Sequence, residues 1–179
     1  RRDIEQAYLA AIRNAKNEII LANAYFLPGR RFRHALLQAA QRGVRVVLFL
    51  QGRVDHFLMH YASRALYGSL LDGGIEIFEY HRSFLHAKVA VIDGRWATVG
   101  SSNIDPFSLL LAREANVVVD DPGFAEELRN GLMRAIKSGA ERKAKKRWDR
   151  EYRCGVFILE ADHPGNAPRA RYLRQFRAR

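Results

Sequence analysis

The sequence predicts an α/β fold in which a mixed β-sheet is flanked by helices on both faces. Three observations carry this. Helical and strand periodicities alternate through the first fifty residues. The run VRVVLFL at 44–50 is apolar on both alternating sets of side chains, as in a strand buried on both faces. Finally, Asp93-Gly94 sits between two strand-like runs, and an Asp-Gly pair there is a strong hairpin signal, so at least one strand pair is antiparallel.

The elements follow in order. Residues 3–16 place Ile4, Ala7, Tyr8, Ala11, Ile12 and Ala15 at helical spacing. EIILAN at 18–23 is a short buried strand, and Tyr25 to Gly29 form a loop closed by Pro28-Gly29. A second helix over 31–42 runs through Phe32, Ala35, Leu36 and Ala39 and stops at Gly43. After the strand at 44–50, one long helix is expected over about 55–71, broken by Asp72-Gly73-Gly74. Strands are expected at 75–80, 88–92, 96–99 and 115–119, and an amphipathic helix at 124–137 uses Phe124, Leu128, Leu132 and Ala135. Beyond Gly139 the pattern degrades into a basic, Trp-containing stretch and a Pro/Gly/Arg-rich end. The expected organisation is therefore a catalytic domain over 1–139 and a basic tail over 140–179. There is no internal repeat.

At 179 residues the chain suits one domain, or one repeat of a larger enzyme. It contains no apolar run long enough for a transmembrane helix. It opens Arg1-Arg2-Asp3-Ile4, without Met or a signal-peptide pattern, which leads to the expectation of a segment cut from a longer protein. The sole cysteine, Cys154, can form neither an internal disulfide nor a multi-cysteine zinc site. Charge is unevenly distributed. Residues 1–128 hold 15 Lys/Arg and 14 Asp/Glu, a net of +1, whereas residues 129–179 hold 15 and 5, a net of +10. A basic tail suits phosphate contacts to a nucleic acid, an anionic membrane surface, or a solvated helix face. Charge alone does not choose between them.

The chemistry is concentrated in HAKVAVIDGRWATVGSSN, residues 86–103, which fits H-x-K-x(4)-D-x(6)-G-S-x-N without a gap. Six fixed letters at average usage match by chance in a chain of this length on the order of one time in a million. Side chains at i and i+2 of a strand share a face, so His86 and Lys88 project together. The Asp93-Gly94 turn brings Gly100, Ser101 and Asn103 back beside them. An imidazole can attack phosphorus when neutral or protonate a leaving oxygen when charged. Lys88, Ser101 and Asn103 can donate to the phosphate oxygens. Gly100 permits close backbone approach. Asp93 reads as a turn former and hydrogen-bond acceptor more readily than as an acid catalyst. The other histidines, His34, His56, His60, His81 and His163, read as surface or satisfied core residues.

This block resembles the signature of the phospholipase D superfamily. With IILANAYFLPG (19–29), VRVVLFLQG (44–52) and LHAKVAVIDGRWATVGSSNIDPFSLLLAREANVVV (85–119), residues 3–137 are similar to the C-terminal half of bacterial cardiolipin synthases. The resemblance implies a catalytic set of His86, Lys88, Asp93 and Glu114, with Glu114 orienting the imidazole, and phosphate binding by Lys88, Ser101 and Asn103. It places Tyr25, Phe26 and Pro28 at the site mouth. It implies phosphatidyl transfer between phospholipids through a phosphohistidine, with no metal and no cofactor. The implied partners are a phospholipid substrate, an anionic membrane surface and a second His-x-Lys half, supplied by preceding sequence or by an identical subunit. The implied location is the cytoplasmic side of a bacterial cell membrane, peripherally bound. The alternative is a homodimeric phosphodiesterase or nuclease with one motif per subunit. The neutral body argues against nucleic acid, and a purely binding module would not require the complete signature.

Overall fold

Segments apolar on both faces are stable only where a sheet is covered twice. That is where EIILAN and RVVLFLQ lie in the computed structural model, which describes residues 3–145. These two strands, β1 (Glu18–Asn23) and β2 (Arg45–Gln51), pair in parallel and form the centre of a seven-stranded sheet. The helix between them, α2 (Arg30–Gln41), follows α1 (Asp3–Asn14). The next strand, β3 (Glu76–Tyr80), is parallel to β2 and is reached through α3 (Phe57–Ala65) and α4 (Tyr67–Asp72). The remaining strands are β4 (Lys88–Ile92), β5 (Trp96–Gly100), β6 (Asn116–Asp120) and β7 (Ala140–Lys143), with α5 (Pro122–Gly139) before the last. The sheet order is β6-β5-β4-β1-β2-β3-β7, and all pairs outside β1–β2–β3 are antiparallel. The expected mixed sheet with helices on both faces is present.

Strand parity divides the core in two. Ile19, Leu21, Val46, Leu48 and Leu50 face α1, α2 and α4, packing with Tyr8, Ile12, Phe32, Leu36, Tyr67 and Leu70. Ile20, Ala22, Val47 and Phe49 face α5 and meet Ala125, Leu132 and Ile136. Phe32 and Leu36 are fully buried, so truncating Phe32 to Ala would cost roughly 3–5 kcal/mol through lost transfer energy and a residual cavity. α5 starts cleanly because Asp121 caps it, accepting the Phe124 N–H at 2.7 Å, with Pro122 at the first helical position.

The structure departs from the sequence expectation in three places. The long helix expected over 55–71 is two helices meeting at Leu66, yet His60, Ser63, Tyr67 and Leu70 still form one inward stripe. After Asn103 the chain makes a single π-helical turn (Phe107–Leu111), begun by Asp105, which is buried. Its carboxylate accepts from the N–H groups of Phe107 and Ser108 and from the Ser108 hydroxyl at 2.9–3.0 Å. Beyond Gly139, where the sequence pattern fades, residues 140–143 add an edge strand beside β3. Lys143 then reaches the fully buried Glu79 at 2.9 Å, which Arg64 also grips with two bonds at 2.9 and 3.0 Å. A buried carboxylate is tolerated only with such pairing. The bulk of the expected basic tail, residues 146–179, lies outside the described residues, as do His163 and Cys154.

Candidate active site

The hairpin β4–β5 builds the site. Its turn residues Asp93 and Gly94 have φ of 53° and 62°, the positive pair that a type I′ turn demands and that Asp-Gly supplies. Register then pairs Val89 with Val99 and Trp96 with Ile92, so the GSSN segment returns beside the start of β4. Lys88 lies opposite Asn23 of β1, on the same sheet face as Ala90 and Ile92. Four of the motif residues thus gather at one end of the sheet: His86, Lys88, Ser101 and Asn103.

Lys88 is 7% exposed, and its ammonium donates to the His86 carbonyl at 3.3 Å. Burial lowers its pKa, and the charges of Glu114 and Asp55 offset part of that effect. The His86 imidazole is exposed, and among the described residues no group is hydrogen-bonded to it. Asn103 is buried, with its side-chain oxygen accepting the Tyr25 N–H at 3.3 Å. That leaves its amide NH2 as the donor. Gly100 has a packing reason as well: a Cβ there would lie 2.2 Å from Asn116 Oδ1 and 2.5 Å from the Ala115 carbonyl. The close approach is made by the neighbouring strand.

Glu114 lies two residues before β6, and its carboxylate accepts the Ser101 hydroxyl. In this structure it therefore holds the serine loop, where orientation of the imidazole was expected. Ser101 in turn accepts the Ala115 N–H at 3.1 Å, and its own N–H donates to the Ala115 carbonyl at 3.0 Å.

Asp93 is not brought to the other residues. It stands at the opposite end of β4 from Lys88, roughly 16 Å away for five extended residues. Its carboxylate accepts three backbone N–H groups, from Lys16 and Asn17 at 2.8 Å and Glu18 at 2.9 Å. Burial alone would raise its pKa, but these donors more than reverse that, and the net shift is downward. In the structure it ties the hairpin to the start of β1, apart from the other residues of the expected catalytic set. Of the loop residues expected at the mouth, Tyr25 is half-buried and its hydroxyl donates to Asp55 at 2.6 Å. Phe26 is 1% exposed and packs in the core, bridging to Ile104, and Pro28 is buried too.

Sequence reasoning missed two buried amides. Asn23 is fully buried at the end of β1, and its oxygen accepts the Ile104 N–H at 3.0 Å, fixing the chain just after Asn103. Gln51 ends β2 the same way, its oxygen accepting the Leu85 N–H at 2.7 Å and so fixing the approach to His86. A polar residue closing an apolar strand was the available signal, since the carboxyl ends of parallel strands are where α/β folds hold ligands. Together these groups place an accessible imidazole beside a buried ammonium and amide, a set able to hold phosphate oxygens while a ring nitrogen reaches phosphorus or its leaving oxygen. Among the described residues there is no cluster of His, Cys, Asp and Glu suited to a metal.

The fold and this constellation define a phospholipase D-like domain. The chain belongs to the family whose model is described as "Cardiolipin synthase, PLD-like domain", which matches residues 8–136. It is 50% identical over 141 residues to cardiolipin synthase B of Escherichia coli strain K12, covering 79% of this chain and 34% of that protein. It is 38% identical over 125 residues to cardiolipin synthase A of Proteus mirabilis, covering 70% and 26%. The chain thus spans about a third or less of the length of these relatives. Among solved structures, the phospholipase D family member Nuc from Salmonella typhimurium shares the fold with a TM-score of 0.68 at 22% identity, covering 78% of this chain and 90% of Nuc. A phosphatidylserine synthase from Haemophilus influenzae aligns at a TM-score of 0.65 and 14% identity, covering 78% and 37%.

Proposed function

We propose that this chain is the second catalytic half of a two-motif cardiolipin synthase. The observation that carries the proposal is the meeting of His86, Lys88 and Asn103 at one end of a hairpin, in a chain half identical to a cardiolipin synthase. One histidine of such a pair attacks the phosphorus of a phosphatidyl donor. A P–N bond forms, the P–O bond to the departing alcohol breaks, and the other histidine gives that oxygen its proton. The hydroxyl of a second phospholipid, such as phosphatidylglycerol, then loses its proton to the second histidine and attacks, breaking the P–N bond. Lys88 and the Asn103 amide hold the non-bridging oxygens through both steps, while Ser101, whose hydroxyl donates to Glu114, fixes the loop between Gly100 and Asn103.

The second His-x-Lys half would come from the remaining two-thirds of a relative-sized protein or from a second copy. A surface suits it: Val99 and Val117, paired across β5 and β6, are 40% and 66% exposed, and Phe107 and Leu111 are 64% and 71% exposed. Val99 precedes Gly100, Phe107 and Leu111 lie between Asn103 and Glu114, and Val117 follows Glu114 by three residues, so this surface borders the site in sequence. The place of action would be the cytoplasmic face of a bacterial membrane, bound peripherally. Among the described residues no helix is long and apolar enough to cross a membrane.

The test is a transfer assay with radiolabelled phosphatidylglycerol and the full-length protein. Labelled cardiolipin with release of glycerol supports the proposal. Phosphatidic acid as the sole product would make the protein a hydrolase, and cleavage of single-stranded DNA without lipid turnover would favour the homodimeric nuclease alternative.

A further inference from the structure

Helix α3 is turned the wrong way round for a soluble surface. Its buried residues are His60 and Ser63, while Phe57, Leu58 and Tyr61 are 70%, 77% and 43% exposed. An amphipathic helix on a globular protein presents the opposite arrangement, with apolar residues inward. Val54 and Phe84 extend the exposed apolar area at 51% and 58%. The Phe57 and Tyr61 rings sit 4.5 Å apart, one helical turn from each other.

The patch adjoins the active site through specific bonds. Arg53 lies with its guanidinium 5.7 Å from the centre of the Phe84 ring, and Phe84 precedes His86 by two residues. Asp55, next to Val54, accepts the Tyr25 hydroxyl, and the Tyr25 backbone N–H donates to Asn103. Charge is also one-sided. Arg53 and Arg82 are exposed, and across residues 52–66 and 81–85 the only acid is Asp55, whose carboxylate is engaged by Tyr25.

Aromatic and leucine side chains projecting to solvent beside arginines match a surface that sinks into the headgroup region of an anionic bilayer. We propose that Val54, Phe57, Leu58, Tyr61 and Phe84 form an interfacial surface that seats the mouth of the site on an anionic phospholipid membrane. The inference rests on the lipid-substrate reading above and adds how that substrate is met: the phosphodiester reaches His86 with its acyl chains still in the bilayer. This leaves the exposed Val99–Val117 pair on β5 and β6 available to the second catalytic half.

The experiment places an environment-sensitive fluorophore on Leu58→Cys in a Cys154→Ser background of the full chain. Vesicles of phosphatidylglycerol and phosphatidylethanolamine carry a nitroxide on their acyl chains. The expected result is a blue-shifted emission quenched by the nitroxide, persisting at high salt, where binding through basic residues alone is screened. In parallel, the double variant Phe57→Ser/Leu58→Ser is expected to keep its circular dichroism, because both side chains are exposed, but to lose co-flotation with these vesicles at high salt. An unquenched label on vesicle-bound protein overturns the proposal. So does a label already shielded from acrylamide before lipid is added, which would mean that protein covers the patch, and so does undiminished flotation of the double variant. These readouts involve no turnover. Full-length protein that inserts but makes no cardiolipin refutes the synthase reading alone, and full-length protein that makes cardiolipin from detergent-dispersed lipid without inserting into vesicles refutes this proposal alone.

Discussion

Ser101 donates its hydroxyl hydrogen to the carboxylate of Glu114, tying the serine loop to the segment that leads into β6. A hydrogen bond to a charged acceptor is worth more than a neutral one, and this one also sets which way the Ser101 oxygen points. Glu114→Ala is expected to lower kcat/KM roughly 10- to 100-fold, corresponding to a loss of about 1.5–3 kcal/mol of charge-assisted bonding. Steady-state kinetics on Glu114→Ala and Ser101→Ala, alone and combined, check this. If the two losses simply add, the residues do not act through one another.

Lys88 is expected to set the alkaline limit of activity. Burial weakens its hold on the proton, so its ammonium is lost at a pH below the ordinary lysine value of about 10.4. Phosphate binding needs the charged form, and kcat/KM is therefore expected to fall on the alkaline side below that value. Lys88→Arg keeps its charge throughout this range, and its remaining activity is expected to lack that limb. An identical alkaline limb in the arginine variant would assign the titration to another group.

Asp93 is expected to matter for stability. Its pKa is lower in the fold than in the unfolded chain, so the unfolded state binds the proton more tightly. The stabilisation is complete above about pH 3.9 and drains away as pH falls below it. Asp93→Ala removes the acceptor of three N–H groups and places alanine at a positive φ, costing about 2–4 kcal/mol in urea unfolding. Asp93→Asn tolerates the backbone angle and is expected to unfold with a flatter acid dependence. A catalytic loss in folded Asp93→Asn comparable to that of a His86 variant would restore Asp93 to the reacting set.

Asn23 links fold and site. Asn23→Ala leaves the Ile104 N–H without its acceptor in the core, a cost of about 1–3 kcal/mol. Because that bond fixes the chain next to Asn103, kcat is also expected to fall in protein that remains fully folded. Thermal unfolding and activity measured on the same samples separate the two effects.

What was legible in the sequence was local. Alternation at period two placed His86 and Lys88 on one face, and Asp93-Gly94 specified a turn that returns Ser101 and Asn103 to them. The doubly buried β1 and β2 announced themselves by composition. Illegible features depended on distant partners. Residues 140–143, AERK, carry no strand pattern, and their place comes from pairing with β3 and from Lys143 meeting Glu79. The partner of Glu114 depended on a fourteen-residue return of the chain to Ala115 and Ser101, which spacing alone could not resolve between serine and imidazole. Asn23 was legible only as the last residue of the strand over 18–23, because its acceptor role involves a residue 81 positions away. The outward face of α3 was hidden because helical periodicity reports a face without saying which side is solvent.

The most direct test replaces His86 by alanine in the full-length protein and follows cardiolipin formation from labelled phosphatidylglycerol. Because His86 is exposed, the unfolding midpoint is expected to stay unchanged while transfer falls by a factor on the order of 10⁴ or more. A folded His86→Ala protein that still forms cardiolipin at the original rate would contradict the assignment of the chemistry to this residue.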